Sequence, residues 1–294
     1  GLHYGIEITA SHNPSCYNGV KLIVEEGRDA PVETTARLEQ LIAAVRPEDV
    51  RDMPFEDAES AGLILWQKNP FNAFIDDILS VMDLPAIREH GARVLFDPMF
   101  GSGTYPLLVI LCTARCTVDM IHNTRDAHFG GNLPAPTVKG LGELRNRVTT
   151  GGYELGIAFD GDADRCIAVD ERGQTVDGDC ILYILATRLA ARGALGGNTV
   201  VCTVMSNSGL FKSLEAAGIR SEQTAVGDRF VYECMQQNGY SLGGEQSGHI
   251  IFGRLANTGD GILTAIKVME AITETKQPLS VLASGMTMYP QKLK

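Results

Sequence analysis

Residues 159–165 read Phe-Asp-Gly-Asp-Ala-Asp-Arg. Carboxylates at every second position, separated only by Gly and Ala, can be aimed at one point by an extended turn. Three such charges repel strongly unless a cation lies among them. An all-oxygen set of Asp160, Asp162 and Asp164 suits Mg²⁺ or Ca²⁺ better than zinc. The planar fork of Arg165 suits a phosphate.

Rival readings of this stretch are open. An EF-hand loop needs Gly at its sixth position, where Arg165 stands, and helical flanks, where strands are expected. An Asp-x-Asp pair after an apolar strand also fits a phosphatase that carries an aspartyl phosphate on Asp160. The third Asp and the Arg lie outside that pattern. A solvated acidic turn is the plain alternative.

A second loop, Ser11-His-Asn-Pro14, ends the β-prone run "GIEITA". A serine hydroxyl is a poor nucleophile unaided, and no Gly-x-Ser-x-Gly elbow is present. As a phosphate carrier it would bring about two negative charges and three acceptor oxygens. Those could complete the coordination of a cation held by the aspartates. His12 and Lys21 are near enough in sequence to supply charge or move a proton. Ser, Asn and Pro also favour turns with no chemistry. In "GGEQSGH" (243–249), adjacent glycines let backbone approach a ligand, and Glu245 and Ser247 offer an acceptor and a donor to sugar hydroxyls. His249 reads as the start of a strand. In "TAVGD" (224–228), Gly227 and Asp228 can simply cap the helix that follows.

These loops need strands to hold them. "ARVLFD" (92–97), "CTVDMI" (116–121) and "LGIAF" (155–159) read as strands, with an apolar helix after "FGSG" and another from about Thr137. "NTVVCTV" (198–204), "SEQT" and "YSLGG" repeat the plan, with helices over 211–217 and about 229–237. A long helix is expected over 180–192. The first segment gives the strands "GIEITA" and "GVKLIV" and a helix over 32–45 behind Pro31. Alternating strands and helices imply βαβ units with a largely parallel sheet in each segment. Ligands gather at the carboxyl ends of such strands, so a shared cleft is expected.

Composition narrows the function classes. The 294 residues suit two domains or three small ones. A net charge of −11 argues against a nucleic-acid partner. The apolar runs are too short to span a bilayer. Seven scattered cysteines, mostly in apolar runs, read as buried thiols in a reducing compartment. Cys112 and Cys116, spaced C-x3-C without a second pair, do not suggest zinc. A cytoplasmic chain is expected, and its start at the edge of a strand suggests a fragment.

In this order, "TASHNP", "DGDADR" and "GEQSGH" resemble the α-D-phosphohexomutase family. From about Leu155 onward the chain is similar to the family's phosphoglucosamine mutase branch. The earlier part, "FDPMFGSG" with "HFGGNLPAP", is closer to phosphoglucomutase/phosphomannomutase. The resemblance implies tandem three-layer α/β domains with mixed, mostly parallel sheets. It implies the end of domain I (1–68), domain II (69–176) and domain III (177–294), without domain IV. Ser11 is then the phosphorylated residue and a metal ligand, and Asp160, Asp162 and Asp164 hold Mg²⁺. Lys21 acts as general acid/base, which as a base requires a lowered pKa. His12 and Arg165 flank the phosphate. Glu245, Ser247, Gly227 and Asp228 meet the sugar. The implied reaction interconverts hexose 6- and 1-phosphates through a hexose 1,6-bisphosphate, with glucosamine phosphate favoured and a homodimer as the assembly to test. A non-catalytic phosphosugar- or metal-binding module is the alternative favoured by the expected truncation, and little mutase turnover is expected from these residues alone.

Overall fold

The computed structural model describes residues 3–291; the extremes of the expected first and third domains, residues 1–2 and 292–294, lie outside it. Three sheets follow one another along the chain. The first holds β1 (Gly5–Ile8), β2 (Val20–Val24) and β3 (Arg28–Asp29), followed by α1 (Val32–Ala44) and α2 (Phe55–Ser60). Its strands are all antiparallel, so the expected parallel sheet fails in this segment. A parallel pair needs a crossover, usually a helix. Residues 9–19, between β1 and β2, contain only the Ser11 loop.

The second unit begins with α3 (Pro70–Val81) and α4 (Leu84–His90), which the sequence patterns leave unassigned. Then come β4 (Arg93–Asp97), α5 (Thr104–Thr113), β5 (Thr117–Met120), α6 (Gly142–Gly151) and β6 (Leu155–Phe159). The helix expected from Thr137 starts five residues later. A hairpin of β7 (Cys166–Asp170) and β8 (Thr175–Val176) completes the sheet, ordered β5-β4-β6-β7-β8. β5, β4 and β6 are parallel, whereas β7 and β8 are antiparallel.

The third unit runs α7 (Gly178–Ala191), β9 (Thr199–Thr203), α8 (Ser208–Ala216), β10 (Arg220–Thr224), α9 (Asp228–Asn238), β11 (Leu242–Gly244), β12 (Ile250–Ile251), α10 (Gly261–Thr275) and α11 (Leu279–Ala283). Asp177, Asn207 and Asp260 cap α7, α8 and α10 by accepting backbone N–H groups. β9 lies parallel to β10 and β11, with β12 antiparallel at the edge.

Strand periodicity of two splits the core into layers. Val94, Phe96, Ile157 and Phe159 face one side of the second sheet, and Leu95, Ala158, Ile167 and Val169 face the other. Both faces are covered, which is why these strands are apolar throughout. The first of these clusters continues into α7 and α10, so the second and third units share buried residues. The first unit differs. Helix α1 has no buried residue, and Ile6, Ile8 and Val20 are exposed.

The cysteines correct the sequence expectation in part. All seven are free; Cys166, Cys180 and Cys202 are buried, but Cys16 and Cys112 are exposed. No helix of the described residues is long and apolar enough to cross a membrane.

Candidate active site

The Asp-Gly-Asp-Ala-Asp-Arg loop leaves the carboxyl end of β6, beside β4, where the second sheet reverses its direction of winding. It folds the three carboxylates together: one oxygen each from Asp160, Asp162 and Asp164 lies within 4.8 Å of the others. Ala163, at φ +63°, takes a left-handed turn that a small side chain tolerates. Asp160 is fully buried, and its Oδ1 accepts the Arg165 N–H at 3.1 Å. Asp162 Oδ1, Asp164 Oδ1 and Arg165 Nε are buried without a hydrogen-bond partner among the described residues. Arg165 Nε stands 3.8 Å from both Asp160 and Asp164. Burial, then the charges of Asp164 and Asp162, push Asp160 up to about 8. Burial also acts upward on Asp164, but His249 and Arg165 outweigh it and hold that carboxyl down at about 2.

The Ser11 loop reaches this cluster from the first unit. Ser11 adopts φ +49°, a left-handed conformation, and its N–H donates to Thr9 Oγ1 at 2.9 Å. Thr9 Oγ1 in turn donates to Asp162 Oδ2 at 3.1 Å. Ser11 Oγ lies 3.4 Å from Asp160 Oδ2 and 3.1 Å from His12 Nδ1. Burial and the nearby Arg165 hold His12 below its ordinary pKa, which favours the neutral ring. Gly161 permits the approach of the two loops, since a Cβ there would lie 2.6 Å from the Ser11 carbonyl oxygen.

Lys21 projects from β2 opposite Glu7, and its Nζ is 4.0 Å from Asp29 Oδ2. Here the structure corrects the expectation of a lowered pKa. Burial pulls the ammonium down, but Asp29, Asp164, Glu7 and Asp162 together raise it above its ordinary value. Lys21 is thus held as a cation.

The third unit closes the cluster from another side. Glu245 Oε1 accepts the Gly227 N–H at 3.0 Å, and Ser247 Oγ donates to Glu245 Oε2 at 3.4 Å. The "GEQSGH" and "TAVGD" loops are therefore one constellation. Asp228 lies in the first turn of α9 and joins it through His249, whose Nε2 is 3.7 Å from Asp228 Oδ2. The same ring places Nδ1 3.5 Å from Asp164 Oδ2.

All eleven residues singled out from sequence thus converge, and two more belong with them. Asp29 was hidden in a charged turn. His249 read as a strand start, yet it is 3% exposed and bonded to a carboxylate of the aspartate loop. The Gly259 N–H donates to His249 Nε2 at 3.0 Å, which places a neutral ring's proton on Nδ1, toward Asp164. Asp164 and the neighbouring acids raise this histidine's pKa against the effect of burial, while the Gly259 N–H opposes a second proton. The two loops also share backbone. Cys166 N–H donates to Gly248 O, and Gly261 N–H donates to Ala163 O, both at 3.0 Å.

Comparison with known proteins places the three units in one family. Residues 1–49, 72–173 and 177–289 match, in order, the α/β/α domains I, II and III of phosphoglucomutase/phosphomannomutase. The chain is 40% identical to a phosphoglucosamine mutase of Lachnospira eligens over 291 residues, covering 99% of this chain and 62% of that protein. It is 41% identical to one from Symbiobacterium thermophilum, covering 99% and 63%. The chain therefore spans under two thirds of the length of these relatives. The crystal structure of a putative phosphomannomutase from Thermus thermophilus superposes with a TM-score of 0.85 at 25% identity, over 96% of this chain and 62% of that one. Three successive domain matches, over residues 1–49, 72–173 and 177–289, show that this chain belongs to the phosphoglucomutase/phosphomannomutase family.

Proposed function

We propose that these residues form the catalytic part of a phosphoserine-dependent hexose-phosphate mutase acting on glucosamine phosphate. One observation carries the reading: Ser11 Oγ stands 3.4 Å from Asp160 within a convergent triad of carboxylates. The glucosamine preference rests on the phosphoglucosamine mutases matched along the chain. Likeness to the Aspergillus fumigatus N-acetylphosphoglucosamine mutase solved with GlcNAc-6P and magnesium, at 15% identity and a TM-score of 0.71, supports the fold.

The carboxylates fit Mg²⁺. They offer oxygen ligands only, two of their buried oxygens lack partners, and the crowding that raises Asp160 is what a cation relieves. When bound, the ion neutralises charge on a phosphoryl group attached to Ser11. The side chains handle the protons. Ser11 Oγ attacks a phosphate of the hexose 1,6-bisphosphate, giving its proton to the neutral His12 ring 3.1 Å away. As the P–O bond to the sugar breaks, the Lys21 ammonium protonates the leaving oxygen. In the return half, Lys21 as the amine takes the proton of the attacking hydroxyl, and protonated His12 returns its proton to Ser11 Oγ as the Oγ–P bond breaks. Arg165 holds the transferring group, and Glu245 and Ser247 hold the sugar. A phosphatase using Asp160 is disfavoured by its complete burial behind Ser11.

Incubation with Mg²⁺ and glucosamine 1,6-bisphosphate, followed by intact mass and peptide mapping, tests the reading. One phosphate on Ser11, lost in Ser11→Ala, is expected. Phosphate on Asp160 instead, or none on any residue, refutes it. Glucose 1,6-bisphosphate as the better donor would reassign the sugar.

A further inference from the structure

A cavity of about 210 Å³ opens between α7, α10 and the segment after β12. None of the residues used in the proposed chemistry lines it. Its floor is apolar, built from Leu185, Leu189, Phe252 and Leu255. Its rim carries Arg188, Arg192, Arg254 and Lys267, an unusual density of cations in a chain of net charge −11.

These cations are incompletely matched. Lys267 is balanced by Glu270 at 3.0 Å. Arg188 and Arg192 both turn to the single carboxylate of Glu274. Arg254, exposed on the rim, pairs with no carboxylate among the described residues. Two cationic charges are left over beside an apolar floor. Burial, and then the neighbouring Arg192, lower the pKa of Arg188, consistent with crowding of like charge.

We propose that this cavity binds a phosphomonoester carrying an apolar body about the size of one aromatic ring. The excess of two positive charges matches a phosphate dianion, which guanidinium forks grip in two-pronged fashion. The body size follows from volume, since an apolar cavity of about 150 Å³ accepts benzene. The site is also placed to act on domain geometry. A neighbouring cavity of about 440 Å³ shares Arg192, Lys267 and Glu270 and runs along α3 and α4. There Lys267 donates to the Val81 carbonyl, and Glu270 accepts the Asp83 N–H at 2.9 Å, tying the second unit to α10. An occupant on this rim braces that junction.

Calorimetric titration with three probes tests the proposal: phenyl phosphate, inorganic phosphate and benzyl alcohol. Phenyl phosphate is expected to bind at least about tenfold tighter than either fragment, as one charge-assisted contact plus ring burial predicts. Arg254→Gln, which keeps the stem and removes the charge, and Arg254→Glu should each weaken it by about tenfold or more. Neither should change phosphate incorporation at Ser11. Arg165→Ala, altered in the reaction cleft, should leave probe binding intact. Phenyl phosphate binding no tighter than inorganic phosphate overturns the proposal. So does binding that Arg165→Ala abolishes and the Arg254 variants leave untouched.

Discussion

Asp160 is the residue on which charge and folding pull hardest against each other. A carboxyl pushed from 3.8 to about 8 binds its proton more tightly folded than unfolded. Without a divalent cation, its contribution to stability is therefore greatest in acid and declines as pH rises from 3.8 towards 8. Asp164, held at about 2, behaves oppositely: its contribution is present above 3.8 and is lost as pH falls towards 2. Asp160→Asn removes the repulsion without changing shape. Metal-free thermal unfolding at pH 8 should show the variant melting a few degrees above the parent, on the scale of about 1 kcal/mol. The Mg²⁺-induced rise in Tm should vanish in the same variant, and a retained rise would place the ion elsewhere. Binding of Mg²⁺ near neutral pH should also release close to one proton, read by calorimetry in buffers of different ionisation enthalpy. Lys21 depends on Asp29 in a complementary way. Asp29→Asn removes the carboxylate that does most to raise the ammonium, so the alkaline limb of Ser11 phosphorylation against pH should move to lower pH. An unmoved limb would assign it to another group.

At the scale of elements, the site depends on close backbone approach between loops from different units. Gly161 is where the Ser11 loop touches the aspartate loop, at 2.6 Å from an imagined Cβ to the Ser11 carbonyl oxygen. That atom is backbone and cannot swing aside. Gly161→Ala should cost about 1–3 kcal/mol of stability. Because a displacement near 1 Å in a reacting group costs on the order of 100-fold in rate, Ser11 phosphorylation should fall by a similar factor. Stopped-flow or quenched mass measurements on folded variant check this; a rate within threefold of the parent would show that the loops have slack. Gly248 plays the matching part toward the third unit. It sits at φ +93°, and a Cβ would lie 2.4 Å from the Cys166 carbonyl oxygen.

Over the whole molecule, the second and third units share a continuous apolar cluster running from Ile75 and Phe96 through Ile181 to Ile266 and Leu279. Ile266 is fully buried within it. Ile266→Ala should cost about 2–5 kcal/mol. In urea, probes placed in the two units should lose their signals at one midpoint in both parent and variant. Two separated midpoints would show that the shared cluster is not cooperative. Among the described residues the first unit contributes nothing to the buried clusters and α1 has no buried residue, so its amide protons should exchange faster than those of β4 or β9.

The sequence by itself determined the chemistry-bearing loops and most of the strands that carry them. The reason is local: an apolar, β-branched run followed by Gly-spaced polar residues can be read without knowing its neighbours. It left α2, α3, α4, α10 and α11 unread. Ten residues of α10 are buried and its charged residues Lys267, Glu270 and Glu274 share one face, so its apolar arc is wider than the stripe of a surface helix. The antiparallel first sheet was likewise set by loop length and pairing, not by the strands' own composition. Tertiary structure alone decided the electrostatics. His249 and Asp29 acquire their partners only across 85 and 8 residues of sequence respectively, at Asp164 and Lys21. The direction of the Lys21 shift is a sum over four carboxylates from three segments. Charges act through space, so a sequence can name the serine and the aspartates, but only the fold fixes which of them hold a proton.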